Sequence, residues 1–203
     1  MPGKKTSDPA KEELGIPDLA AQVRSGDPAV LEKVVKAYLR QIVRAALSTG
    51  LRPQEADDVA QATFVTFLET RERFEGRSTV RTWLFGILYR KVAEARRGFQ
   101  RTGRSDSIED VMESRFLADG SWSTPPRPLD EQVFHSEVRE HLERCLEDSP
   151  TTQRMAFVLR EVEGFSTPEI CKILDVTTTN LGVLLYRVRN RLRECLEARG
   201  IRR

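Results

Sequence analysis

At 203 residues, 39% hydrophobic and 32% charged, the chain has the length of one medium domain or two small ones and the composition of a protein with a charged surface. No apolar run approaches the roughly 20 residues of a membrane span, and three cysteines without a Cys-x-x-Cys pair argue against a disulfide framework. A net charge of +2 excludes a uniformly basic chain, yet the charge is unevenly placed: residues 17–98 are net basic, residues 99–133 are net acidic, and arginines crowd the last helical segment.

The opening "MPGKKTSDPAKEELG" has two lysines with no apolar stretch behind them, so no signal peptide is expected and a cytoplasmic location follows by default. Residues 1–16 read as a disordered tail. "PDLAAQVRS" predicts a short helix. Asp27-Pro28 is an N-cap followed by a proline at the first helical position. Behind it Val30, Leu31, Val34, Val35, Tyr38, Leu39, Ile42 and Val43 recur at helical spacing, and the helix should end near Gly50. A third helix is expected from Pro53 to about Thr70, carrying Val59, Phe64, Val65, Phe67 and Leu68. Gly76 breaks the chain, and Ser78 or Thr79 can cap a fourth helix reaching about Arg97.

The stretch "GFQRTGRSDSIEDVMESRFLADGSWSTPPRPLDEQ" has no sustained period and is rich in Gly, Ser, Pro and acid. A loop of that length is improbable inside a compact domain, so residues 99–132 read as a linker. Periodicity returns at about Leu129 or Val133 with Val138, Leu142, Cys145 and Leu146. Another helix follows Ser149-Pro150 and stops at Gly164. In "STPEICKILDV", Ser166 and Glu169 have capping-box spacing and Pro168 lies in the first turn. Only Asp175, Val176 and Thr177 separate that helix from the last one, which makes the pair a helix-turn-helix. The fold expected is all-α, with two small helical domains, 17–98 and 133–203, joined by a flexible linker.

In the last helix Leu181, Leu185, Val188, Leu192 and Cys195 form one stripe at 100° per residue, the expected buried seam. Arg189 and Arg193 flank it on one side, Arg187 and Arg191 on the other. Opposite lie Thr179, Gly182, Val183, Tyr186 and Asn190, a small and polar face bordered by arginines. Such a face suits a DNA major groove: arginines reach phosphates, and small residues near the helix start let the backbone approach base edges. The competing reading is a surface helix with solvated arginines; the capped helix and short turn in front favour DNA contact.

Both modules together resemble the sigma-70 family of bacterial RNA polymerase initiation factors, in particular the short extracytoplasmic-function (ECF) type. The resemblance rests on "DDVAQATFVTFLETRERFEGRSTVRTWLFGIL" in the first module and "QRMAFVLREVEGFSTPEICKILDVTTTNLGVLLYRVRNRLRECL" in the second. It implies a first module that binds polymerase and opens the −10 element and a second that reads the −35 element. Asp58, Gln61 and Phe64 match positions on the helix that docks on the β′ clamp helices, and the second module is expected at the β flap. The loop Phe74, Glu75, Gly76, Arg77 and Ser78 matches the one that captures a flipped −10 base. Arg81, Arg90, Lys91, Arg96 and Arg97 would supply positive charge nearby, while Trp83 reads mainly as core. Thr178, Thr179, Asn180, Val183, Tyr186, Arg187, Asn190 and Arg191 are the expected −35 contacts.

The acidic linker side chains Asp106, Glu109, Asp110 and Glu113 fit a segment threading a positive RNA channel, and "WSTPPRP" is similar to a Trp-Pro-Pro element of some members. An anti-sigma protein is a further partner implied by the resemblance.

The sequence departs from the family pattern at Ala62, where a carboxylate is usual, at Tyr89-Arg90, and at Gly182-Val183, where the usual −35 contacts cannot be carried over. His141 and Cys145 are spaced i,i+4 and form a possible metal pair with Cys171 or Cys195, but buried structural cysteines are far commoner. No nucleophile-base set, Gly-rich phosphate loop or paired-carboxylate motif stands out, so neither an enzyme nor a cofactor is expected. The alternative function is a stand-alone helix-turn-helix regulator whose N-terminal module dimerises or senses.

Overall fold

The computed structural model describes residues 14–16, 18–97, 136–147 and 149–199, which fall into two compact units, one ending at Arg97. The described residues are helical, without strands. The linker with Asp106, Glu109, Asp110, Glu113 and "WSTPPRP", together with Leu129, Val133 and His135, lies outside the described residues, as does most of the expected N-terminal tail.

The first unit holds α1 (Leu19–Ser25), α2 (Pro28–Ser48), α3 (Pro53–Thr70) and α4 (Val80–Arg97). The expected Asp27 cap forms: its carboxylate accepts from the N–H groups of Ala29 at 2.9 Å and Val30 at 3.2 Å. These are two of the amides that a helix start leaves unpaired. At the start of α3 the Glu55 carboxylate accepts from the Arg52 N–H at 2.9 Å and from its guanidinium at 2.6 Å. Thr79 caps α4, its hydroxyl accepting from the Thr82 N–H at 3.0 Å.

Helix α3 packs on α2 and α4, which also meet each other. Their shared core includes fully buried Val34, Tyr38, Ile42, Phe67, Leu84, Phe85, Leu88 and Val92. Burying each large side chain contributes about 1.5–3 kcal/mol. The far end of α4 is tied back to α2, because the Arg96 guanidinium donates to the Thr49 carbonyl.

The second unit holds α5 (Ser136–Glu147), α6 (Thr151–Phe157), α7 (Thr167–Leu174) and α8 (Thr178–Ala198). Helix α6 does not run to Gly164 as a regular α-helix. Its last part, Val158–Val162, widens into a π turn before Gly164 ends it in the left-handed region at φ 69°. Glu169 accepts from the backbone N–H of Ser166 at 2.9 Å, so the expected cap on α7 is built.

Helix α8 is contacted by α5, α6 and α7. Leu181, Leu185, Val188 and Leu192 are buried along it, as the period predicts. Cys145 and Cys195 are joined in a single disulfide with Cα atoms 5.8 Å apart. The cysteine count argued only against a framework of bridges. Helix packing brings these two residues together across a sequence separation of 50, which spacing along the chain cannot reveal.

Candidate nucleic-acid interface

The helix-turn-helix is set by backbone chemistry at its turn. Asp175 ends α7 in the left-handed region at φ 55°, a conformation that Asp tolerates better than most residues. Two residues later the Thr177 hydroxyl accepts from the Asn180 N–H at 3.2 Å and caps α8. Thr178 and Thr179 are exposed on the first turn, where unpaired amides and the helix dipole favour a phosphate. Asn180, Gly182, Tyr186, Arg187, Asn190 and Arg191 are partly exposed along the helix.

Val183 departs from the expected outward face. It is only 4% exposed and is therefore not available to a base edge. Three helices pack around α8, so its buried arc is wider than the single leucine stripe. The four arginines also divide. Arg193 is exposed and Arg187 partly so, whereas Arg189 is ion-paired with Glu161 of the π turn. Beside Glu161, the Arg160 guanidinium donates to the Phe165 carbonyl at 3.2 Å and to the Thr167 hydroxyl. The widened turn thus aims consecutive charged side chains at the entry of α7 and at the middle of α8. The sequence reading missed this brace, since a regular helical period does not anticipate a π turn.

In the first unit the loop after the short turn Arg71–Arg73 is anchored by its first residue. Phe74 is buried and stacks on Trp83 at 4.9 Å between ring centroids, while Phe67 meets the same indole edge-on at 5.4 Å. Trp83 therefore acts as packing, as expected, and Phe74 faces the core and not the solvent. Glu75, Gly76 and Arg77 are exposed, and Arg77 pairs with Glu75 at 2.9 Å. Gly76 has φ 72°, and a Cβ there would lie 3.1 Å from the Cβ of Ala20, so both conformation and close approach call for glycine. Between the loop and the α1 entry lies an open cavity of about 450 Å³, lined in part by Ile16, Asp18, Tyr38, Phe74 and Ser78. That volume is in the range of small-molecule sites.

Two expected contacts in this unit turn inward. Arg81 is 7% exposed; its Nε donates to Gln41 at 3.3 Å and its guanidinium lies over the Phe85 ring at 5.4 Å, so it braces α4 on α2. Phe64 is 7% exposed and belongs to the core, while Asp58 and Gln61 are exposed. Val65, one turn beyond Gln61, is 46% exposed and extends that face with an apolar patch. Arg90 is exposed, Lys91 pairs with Glu94 at 3.2 Å, and Arg96 is engaged with Thr49. The side chain of Arg97 lies outside those described.

Among the described residues no three His, Cys, Asp or Glu side chains gather as a metal site, and Cys145, half of the possible metal pair weighed above, is spent in the disulfide. No described helix is long and apolar enough to cross a membrane.

Comparison with known proteins bears directly on these two units. The profile of Sigma-70 region 2 matches residues 34–102, and that of Sigma-70, region 4 matches residues 139–192. A Haemophilus influenzae protein described as a "Probable RNA polymerase sigma factor" is 31% identical over 148 residues, 70% of this chain and 76% of that protein. The ECF RNA polymerase sigma-E factor of Salmonella typhimurium is 25% identical over 178 residues, 88% of this chain and 92% of its own. Among solved structures, CnrH in complex with the cytosolic domain of CnrY shares the fold at a TM-score of 0.62 and 24% identity, covering 89% of this chain and 96% of that one. RpoE in complex with the anti-sigma factor NepR, from Bartonella quintana, does so at a TM-score of 0.58 and 22% identity, covering 82% and 96%. Two helical units with these matches in this order make the chain a member of the sigma-70 family of RNA polymerase sigma factors, of the ECF type.

Proposed function

We propose a division of labour between the two units of this transcription initiation factor. The first docks on core polymerase through the exposed Asp58, Gln61 and Val65 face of α3, toward the β′ clamp helices. It opens the −10 element by taking one unstacked base into the cavity beside the loop Glu75–Ser78, with Arg90 and Lys91 near the strand. Phe74 shapes that cavity from below and does not itself leave the core. Unstacking a base costs a few kcal/mol, which contacts inside a pocket must offset.

The second unit, held at the β flap, reads the −35 element through Thr178, Thr179, Asn180, Tyr186, Arg187, Asn190 and Arg191. Val183, Arg81 and Phe64 drop out of the contact set because they are buried. The reading makes the chain a non-enzymatic subunit working beside polymerase in the bacterial cytoplasm. It also implies an anti-sigma protein as a regulatory partner, the kind of complex that the Bartonella quintana structure contains. The observation that carries the proposal is the pairing of a capped helix-turn-helix in one unit with a glycine-hinged loop over a cavity in the other.

The test adds the purified chain to core polymerase and a library of supercoiled promoters, starting with the DNA upstream of its own gene. A transcript that requires the chain, lost on Ser78→Trp, supports the proposal. Tight sequence-specific DNA binding without polymerase, and no dependent transcript, overturns it in favour of a stand-alone regulator.

A further inference from the structure

We infer that Cys145 and Cys195 form a reversible thiol–disulfide couple, a redox modification site whose oxidised state fastens α5 to the recognition helix α8.

Apart from the bond, α5 is held on the unit without a covalent tie. The helix has 12 residues, near the lower limit for a helix that persists alone in water. Among its described side chains, Leu142, Cys145 and Leu146 pack in a cluster with Phe157, Val188, Leu192 and Leu196. A polar tie joins them: the buried Arg154 guanidinium donates to the Leu146 carbonyl at 3.3 Å. The sulfur bridge adds a covalent tie to this packing. Cys195 lies three residues before the end of α8 at Ala198, about 26 Å along the axis from Thr178 at 1.5 Å per residue. The bond clamps the end of the helix remote from the turn, over the side of the seam formed by Val188 and Leu192.

The two sulfurs are unequally reachable. Cys145 is 2% exposed, whereas Cys195 is only partly buried. A small thiol or disulfide thus meets Cys195 first. In the oxidising direction the Cys195 thiolate attacks a low-molecular-weight disulfide, forming a mixed disulfide and releasing one thiolate. The Cys145 thiolate then attacks Cys195 Sγ, the intramolecular S–S bond forms and the second small thiolate leaves. Two protein thiols are oxidised, one small disulfide is reduced to two thiols, and the two protein protons end on them. Reduction retraces these steps, entering at Cys195. Cys171 takes no part: it is unbonded, and its sulfur lies 4.0 Å from the Thr178 hydroxyl.

In the reducing cytoplasm, where the proposed function puts the chain, a disulfide is characteristically transient or redox-sensing. The couple rests reduced, with α5 held by packing and hydrogen bonds alone, and closes under disulfide stress. Closure spans 50 residues, which restricts the unfolded chain and makes the DNA-reading unit more persistent.

The full-length chain is equilibrated with dithiothreitol or with glutathione disulfide, then alkylated with N-ethylmaleimide and weighed. Three labels are expected after dithiothreitol and one, on Cys171, after glutathione disulfide. Peptide-resolved hydrogen exchange should slow about tenfold or more over residues 141–147 and 185–198 on oxidation, with residues 28–96 unchanged. Cys171→Ser should keep the full response, and Cys145→Ala with Cys195→Ala should lose it. Three labels after glutathione disulfide, or equal exchange in the two states of the wild-type chain, overturns the inference. Both readouts use the chain alone, so their failure is distinct from failure of the transcription test.

Discussion

The two units solve the same problem, a small helical fold presenting a surface to nucleic acid, with different means. The first is held by aromatic burial: Tyr38, Phe67 and Phe85 are fully buried, and Trp83 is packed between Phe67 and Phe74. The second buries mainly aliphatic side chains, among them Met155, Leu159, Ile170 and Leu181 with Phe157 and Phe165, and adds tie points, namely the Cys145–Cys195 bond, the buried Arg154 on the end of α5, and the pairs that Arg160 and Glu161 make. Small domains are marginal on apolar burial alone, and covalent or charged ties add to it. The contrast also shows why charged residues near the proposed DNA-facing surface are poor guides to contact. Arg81 and Arg189 are both structural braces.

The comparison breaks most sharply at Phe67. Phe67→Ala should cost about 3–5 kcal/mol by opening a cavity among rigid neighbours. Denaturant unfolding followed by Trp83 fluorescence reads it, and the second unit's exchange pattern should be untouched. A loss under about 1 kcal/mol would mean the aromatic core is not what holds the first unit.

Replacing both Cys145 and Cys195 by alanine should cost the second unit about 2–4 kcal/mol relative to its oxidised form, the usual worth of a disulfide. Thermal unfolding of the two units, resolved by hydrogen exchange, checks that the first keeps its stability. Arg187→Ala acts on binding and not on folding. If the side chain reads guanine, promoter affinity should fall by about 1–3 kcal/mol at one base position. If it serves a phosphate, the salt slope should drop by about 1 across all sequences. Neither change would remove Arg187 from the interface.

Asp27→Ala should cost about 1 kcal/mol, since two amides of α2 lose their acceptor, and Asp27→Ser should recover most of it. Smallest is Glu161→Gln. The pair with Arg189 is more than a quarter exposed on both sides, so its removal should cost well under 1 kcal/mol of stability. The informative measurement there is promoter affinity: freeing Arg189 should steepen the salt dependence of binding, and an unchanged slope would mean that Arg189 stays braced by other means.

Much of the architecture was readable before any coordinates. Asp27-Pro28, Ser166 with Glu169, and the three-residue gap Asp175–Thr177 mark helix ends because caps and turns are local chemistry, satisfied by residues within a few positions. The leucine seam of α8 was legible for the same reason, as a period of 3.6 is a property of one helix. Family membership followed from the order of the two motifs.

Sequence alone thus determined most of the helices, their caps and the helix-turn-helix, all set by short-range pattern, and the resemblance of the two modules to the sigma-70 family. Tertiary structure alone decided what depends on several elements meeting. It buried Val183 because three helices surround α8, and turned Phe64, Phe74 and Arg81 inward. It widened the end of α6 into a π turn and brought Cys145 to Cys195. The physical reason is that a single helix's period reports one buried stripe. How wide the buried arc is, and which distant side chains share it, depends on how many neighbours pack against the helix.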